Sequence, residues 1–154
     1  MGTTYKLVEV TYDEEQEGGS MNDRWANVTF TVAVVGSKNW ADADAVNEAL
    51  NTFLANKMAE ENAHIRLIDG GQTNGADAMA RVWAADKEAV EVQSFTPRWN
   101  KHPQGAVSKR NWSMANTADA AIIFSTNHEN EFVCTDLKRA FGKLSKKCYT
   151  VTTN

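Results

Sequence analysis

The run Val28-Thr-Phe-Thr-Val-Ala-Val-Val35 constrains the fold more than any other segment of this chain. It is almost continuously apolar and β-branched, and it stops at Gly36-Ser37. A strand with one wet face would alternate cleanly between apolar and polar residues. A nearly unbroken run is the pattern of a central strand in a parallel sheet covered on both faces. Such a strand demands neighbouring strands on each side and helices above and below.

The residues that follow supply them in order. Asp42 or Asp44 can cap a helix whose apolar positions Val46, Leu50, Phe53, Leu54 and Met58 recur at helical spacing. Residues 65–68 then read as a short strand, residues 69–77 as a glycine-rich turn, and residues 78–87 as a helix. A third strand is expected at 89–95. An irregular stretch with both prolines occupies 96–108, followed by a helix at 109–114, a strand at 120–124, a helix at 136–144 and a strand at 148–152. Alternation of this kind specifies a Rossmann-like α/β three-layer sandwich with a mainly parallel sheet, because parallel neighbours need a crossover of helix length. Residues 1–27 are read apart, as an alternating segment at 5–12 that would add an N-terminal edge strand, and an acidic loop at 13–20. Residues 28–154 form the Rossmann-like domain.

Composition narrows the function classes. The net charge of −4 argues against a protein whose business is a nucleic-acid backbone, since phosphate contacts need a surplus of Lys and Arg. Cys134 and Cys148 form no CxxC pair, and His64, His102 and His128 are too scattered for a zinc site, so no metal and no cofactor is expected. No apolar leader opens the sequence, which makes a reducing, cytoplasmic setting without membrane contact the expectation.

In an open parallel sheet, ligands sit beyond the carboxyl ends of the strands. Three such ends carry small or polar residues: Gly36-Ser-Lys-Asn-Trp40, Gly70-Gly-Gln-Thr-Asn-Gly75 and Ser125-Thr-Asn127. Glycines let backbone N–H groups approach an anion, and a following helix N-terminus adds partial positive charge. Ser37, Thr73, Ser125 and Thr126 add hydroxyl donors. Neither a P-loop nor a dinucleotide fingerprint is present, because the glycine spacing fits neither. Between the last two units, residues 97–111 gather Arg98, Trp99, Lys101, His102, Lys109, Arg110 and Asn111 in an otherwise acidic chain. Lys109 and Arg110 would pair with phosphate, Asn111 would hold a loop or a ribose hydroxyl, and Trp99 or Trp40 would stack on a base. A solvated basic loop with its tryptophans in the core is the plainer alternative.

Together these motifs resemble the SLOG superfamily, the Rossmann-like group that includes the Smf/DprA proteins and the Lonely Guy phosphoribohydrolases. The similarity is greatest to its small bacterial and phage branch related to YspA. That branch shows a strand ending in Gly-Ser-Arg, a Gly-Gly-x-x-Gly-Ala-Asp turn, and a Trp-containing loop leading to Arg-Asn before a methionine. Here stand Gly36-Ser-Lys-Asn-Trp40, Gly70-Gly-Gln-Thr-Asn-Gly-Ala-Asp77, Arg98-Trp99 and Lys109-Arg-Asn-Trp-Ser-Met114, within a similarity spanning roughly 29–151. The resemblance implies a pocket for nucleotides or their derivatives, formed by Gly36, Ser37, Lys38, Asn39, Trp40, Gly70, Gly71, Thr73, Gly75, Asp77, Arg98, Trp99, Lys109, Arg110, Asn111, Ser125, Thr126 and Thr135. One departure matters. Lonely Guy enzymes carry Pro-Gly-Gly-x-Gly-Thr-x-x-Glu, whose glutamate assists ribosyl cleavage. The corresponding stretch here, residues 125–136, lacks those glycines, has Cys134-Thr135 at the Gly-Thr position and offers no matching glutamate.

The leading expectation is therefore a protein that binds, and sequesters, a phosphorylated nucleotide-derived signal of the ADP-ribose type, as a phage counter-defence protein would, with no effector domain of its own. The alternative is a nucleotide N-glycosidase (a nucleoside-5′-monophosphate phosphoribohydrolase) using Asp77, Glu129, Glu131 or Asp136 as its carboxylate. Against that role, Asp77 can simply cap a helix and the glutamates can simply be solvated. Single-stranded DNA binding, with tryptophans as stacking platforms, is the third reading. A homo-oligomer, dimer or tetramer, is expected, with Trp83 and Trp112 serving an interface or the core.

Overall fold

The computed structural model describes residues 25–126 and 132–153. The segment expected to form an N-terminal edge strand lies outside them, as do Asn127, His128, Glu129 and Glu131. The described chain runs β1 (Phe30–Gly36), α1 (Ala43–Met58), β2 (Ile65–Asp69), α2 (Ala76–Ala84), β3 (Val90–Ser94), α3 (Ala106–Thr117), β4 (Ala120–Thr126), α4 (Phe132–Lys143) and β5 (Lys147–Thr153). All four strand pairings are parallel and the sheet order is β3-β2-β1-β4-β5. This is the Rossmann-like α/β architecture, and β1 occupies its centre.

The apolar run places alternate residues of β1 in two separate cores. Val32 and Val34 pack with Leu50 and Leu54 of α1 and Ala80 and Trp83 of α2. Ala33 and Val35 pack with Met114 of α3 and Leu137 and Phe141 of α4. All four β1 residues are fully buried, so the missing alternation in the sequence reflects two covered faces. Among the described residues, no helix is long and apolar enough to cross a membrane.

Element ends follow local chemistry. Asp42 is the N-cap of α1, its Oδ1 accepting the amide of Ala45 at 3.0 Å. Gly105, at φ +79°, turns the chain into α3 at Ala106, three residues before the start expected from apolar spacing. Trp25 lies within the segment read as an extension, yet it is buried, stacking near His64 and covering the Arg66 guanidinium at 4.7 Å.

Strand order fixes where a crevice can open. From β1 the chain passes through α1 to β2 on one side, and from β4 through α4 to β5 on the other. The reversal falls between adjacent strands β1 and β4, whose following helices lie on opposite faces of the sheet. The carboxyl ends of β1 and β4 therefore flank the topological switch point.

Candidate functional site

The three strand ends singled out in the sequence belong to the adjacent strands β2, β1 and β4. At the centre of the first two stands Asp77, on the first turn of α2 and fully buried. It does not cap its own helix. The N-cap of α2 is Gly75, without a side-chain hydrogen bond, while the Asp77 carboxylate reaches across the loops. Its Oδ1 accepts the amide of Gly36 at 3.1 Å and its Oδ2 the amide of Gly70 at 2.8 Å. One carboxylate thus joins the glycine turns after β1 and β2 into a single frame.

The glycines are needed for that closeness. A Cβ on Gly75 would stand 2.3 Å from the carbonyl oxygen of Ser37, and Gly75 has φ +82°. A Cβ on Gly70 would meet Asp77 Oδ2 at 2.7 Å and the Arg110 guanidinium at 2.9 Å. The turn after β1 is closed by the Ser37 amide donating to the carbonyl of Phe124, and by the Asn39 amide donating to Ser37 Oγ.

Arg110 braces the frame from beneath. It is 2% exposed, and its Nη1 donates to the carbonyls of Gly70 at 2.8 Å and Phe95 at 2.9 Å. Its Nε donates to Asn111 Oδ1, and Asn111 Nδ2 donates in turn to the carbonyl of Val133 and to Asp136 Oδ2 at 3.0 Å. Adjacent residues of α3 thereby tie the Gly70 turn to α4. The guanidinium is committed to main-chain carbonyls under the loop instead of facing a ligand, and Asn111 likewise holds protein groups.

A second buried carboxylate sits beside the first. Asp69, at the end of β2, accepts the Gly71 amide at 2.7 Å, the Ser94 hydroxyl and Arg81 Nη1 at 2.6 Å. Arg81 also donates to the carbonyl of Gln72, whose Nε2 donates to the carbonyl of Gly36. Burial raises the pKa of Asp69. Burial, and then the nearby charge of Asp69, push Asp77 up to about 7 against the pull of Arg110. The Arg110 pKa is lowered by burial and supported by both carboxylates. Asp69, Gln72 and Arg81 were absent from the residues drawn from the sequence. The available signal was an acid immediately before the glycine pair and an arginine one helical turn after Asp77.

The remaining expected residues divide by exposure. Lys38, Asn39 and Thr73 are exposed on the turns, Ser37 is buried, and Gly71 lies against the Thr96 methyl. Trp40 is 2% exposed, packs edge-on to Phe124 at 5.4 Å and donates its Nε1 to the carbonyl of Asp42, so its indole belongs to the core. Trp99 is 56% exposed on the loop after β3, beside half-buried Arg98. Lys109 is exposed on α3. At the end of β4, Ser125 Oγ donates to the carbonyl of Thr126, and the Thr126 hydroxyl is shut from solvent with no hydrogen-bond partner among the described residues. Thr135 donates within α4 to the carbonyl of Phe132. No cluster of His, Cys, Asp and Glu suited to a metal occurs among the described residues. Trp83 lies in the core and donates to Asn51, whereas Trp112 is 44% exposed.

No curated protein and no solved structure gave a match. The profile described as "YAcAr: YspA, cpYpsA-related SLOG family" matches residues 30–102, from β1 through both glycine turns to the loop after β3. That match, over just under half of the chain, supports membership of the SLOG superfamily.

Proposed function

We propose that this protein binds, without cleaving, a phosphorylated nucleotide-derived small molecule at the carboxyl ends of β1, β2 and β4, and that the ligand is an ADP-ribose-type signal held away from its receptor. The SLOG family supports a nucleotide-related ligand or glycosidase-like chemistry. The observation that favours binding over cleavage is the burial of Asp69 and Asp77, the carboxylates at the ends of β2 and β1 among the described residues. Ribosyl cleavage needs a negative group beside the developing cation. Asp69 and Asp77 are walled in, holding loop amides and Arg81. What the turns offer outward is of the opposite kind: Lys38, Asn39 and Thr73 are exposed donors suited to an anion. Trp99 supplies an exposed aromatic face on the same edge of the sheet for a base.

A thermal-shift panel of AMP, ADP-ribose, cyclic ADP-ribose and NAD tests this. A ligand at a hundred times its dissociation constant adds about 2.7 kcal/mol, raising the melting temperature by roughly 5–10 °C for a domain of this size. A shift by ADP-ribose that Lys38→Ala removes supports the reading. A panel without effect, together with a salt-sensitive shift by a single-stranded oligonucleotide, would replace it with nucleic-acid binding.

A further inference from the structure

Between α3 and α4 lies a groove of about 260 Å³ lined by Ser108, Trp112, Asp136, Arg139, Ala140 and Lys143. Ser108 and Trp112 are one turn apart on α3, as are Asp136 and Ala140 on α4, so each helix turns one stripe toward the groove. The small side chain of Ala140 leaves the hollow between them.

Its chemistry is specific. The Trp112 indole is 44% exposed, an unusual placement for the largest aromatic side chain when the core holds Trp40 and Trp83. Arg139 and Lys143 stand one turn apart against a single carboxylate, Asp136. That carboxylate is already engaged, its Oδ2 accepting from Asn111 at 3.0 Å and its Oδ1 lying 3.9 Å from an Arg139 side chain that is 62% exposed. An exposed ion pair at that distance contributes little, so the guanidinium keeps its capacity for a planar oxyanion.

We propose that this groove is a second ligand site, distinct from the strand ends, that takes a planar aromatic oxyanion: the ring stacked on Trp112, the carboxylate or phosphate held by Arg139 and Lys143. The volume lies below the roughly 300–1,000 Å³ of drug-sized pockets, room for one bicyclic ring with its anionic group. A second copy of this chain fits less well. In a two-fold interface the patch meets its own image, which would bring two net-cationic grooves, Arg139 and Lys143 outnumbering Asp136 in each, into one contact.

The test uses the intact protein and follows the five tryptophan indole N–H signals by NMR, with Trp112→Phe identifying the Trp112 signal. Two probes distinguish the anion's source, 2-naphthoate for a carboxylate and 2-naphthyl phosphate for a phosphate ester, with uncharged 2-naphthol as control. The expected result is a saturable shift of the Trp112 signal by one or both anions. Arg139→Gln with Lys143→Gln should weaken it by about tenfold or more while the Trp40 and Trp83 signals stay in place, which shows that the fold is intact. No saturable shift overturns the proposal, and so does an equal response to 2-naphthol. A Trp112 signal that changes with protein concentration alone, and dimers lost in Trp112→Ala, would make the groove an interface between copies and overturn it as well.

Discussion

The Oδ2 of Asp77 lies 2.8 Å from the amide nitrogen of Gly70, while its Oδ1 takes the amide of Gly36 from the neighbouring strand end. The two glycine turns therefore hold their shape through one buried side chain. A ligand above them would meet a frame already assembled and so lose less ordering entropy on binding.

Removing that side chain orphans buried donors. Asp77→Ala leaves two amides without acceptors, at about 1–3 kcal/mol each. Asp77→Asn keeps one carbonyl acceptor and sets an NH₂ against the other amide. Urea unfolding should rank stability as wild type, then Asp77→Asn, then Asp77→Ala.

The same carboxylate gives stability a pH dependence of definite sign. Its folded pKa is raised to about 7 from the ordinary value of 3.8, so the native state binds the proton more tightly than the unfolded chain. The corresponding stability is fully present below that ordinary value, declines as pH rises, and is lost by the time pH has passed through about 7. Asp69, raised by burial, adds in the same direction. Urea midpoints measured between pH 5 and pH 8 should fall with pH in the wild type and fall less in Asp77→Asn.

Two glycines with similar φ should respond differently to alanine. At Gly75 the added Cβ would strike the Ser37 carbonyl at 2.3 Å, and its φ +82°, ψ −156° is a region essentially reserved for glycine, costing about 1–3 kcal/mol before the clash. At Gly105, φ +79° and ψ 12°, nothing lies within 4 Å, so only the left-handed cost of about 1–2 kcal/mol applies. Thermal melts of Gly75→Ala and Gly105→Ala should separate clearly, and only the former should disturb ligand binding.

Cations of the basic segment and the turns should also divide. Arg110→Ala removes the positive charge near the buried Asp77 and leaves the Gly70 and Phe95 carbonyls without their donor, at about 1–3 kcal/mol for each acceptor left unpaired. It should lower the melting temperature of the free protein. Lys38→Ala, on an exposed turn, should stay within about 0.5 kcal/mol of wild type and lose the ligand-induced shift.

The elements were legible in the sequence because their signals are local. The β-branched run marked β1, the pair of candidate caps Asp42 and Asp44 bracketed the start of α1, and the glycine pair after Ile65–Asp69 marked the end of β2. Boundaries drifted where tertiary contacts extend an element beyond its apolar periodicity, as in α4, which begins at Phe132 and not near Asp136. The roles of the charged residues were less legible. Arg110 reads as a surface cation until the fold brings the carbonyls of Gly70 and Phe95, 40 and 15 residues away, to its guanidinium. Asp77 reads as a helix cap because its position in the first turn is local information, whereas its two acceptor bonds depend on β1 and β2 lying side by side.

The fate of a bound ligand separates capture from cleavage. The protein is incubated with ADP-ribose, freed of excess by gel filtration and heat-denatured, and the released small molecule is identified by mass spectrometry. Intact ADP-ribose recovered in proportion to protein, and absent from Lys38→Ala, is the predicted result. Adenine with the ribose-phosphate remainder would make the protein a glycosidase, and ADP-ribose left entirely in the excess would contradict binding.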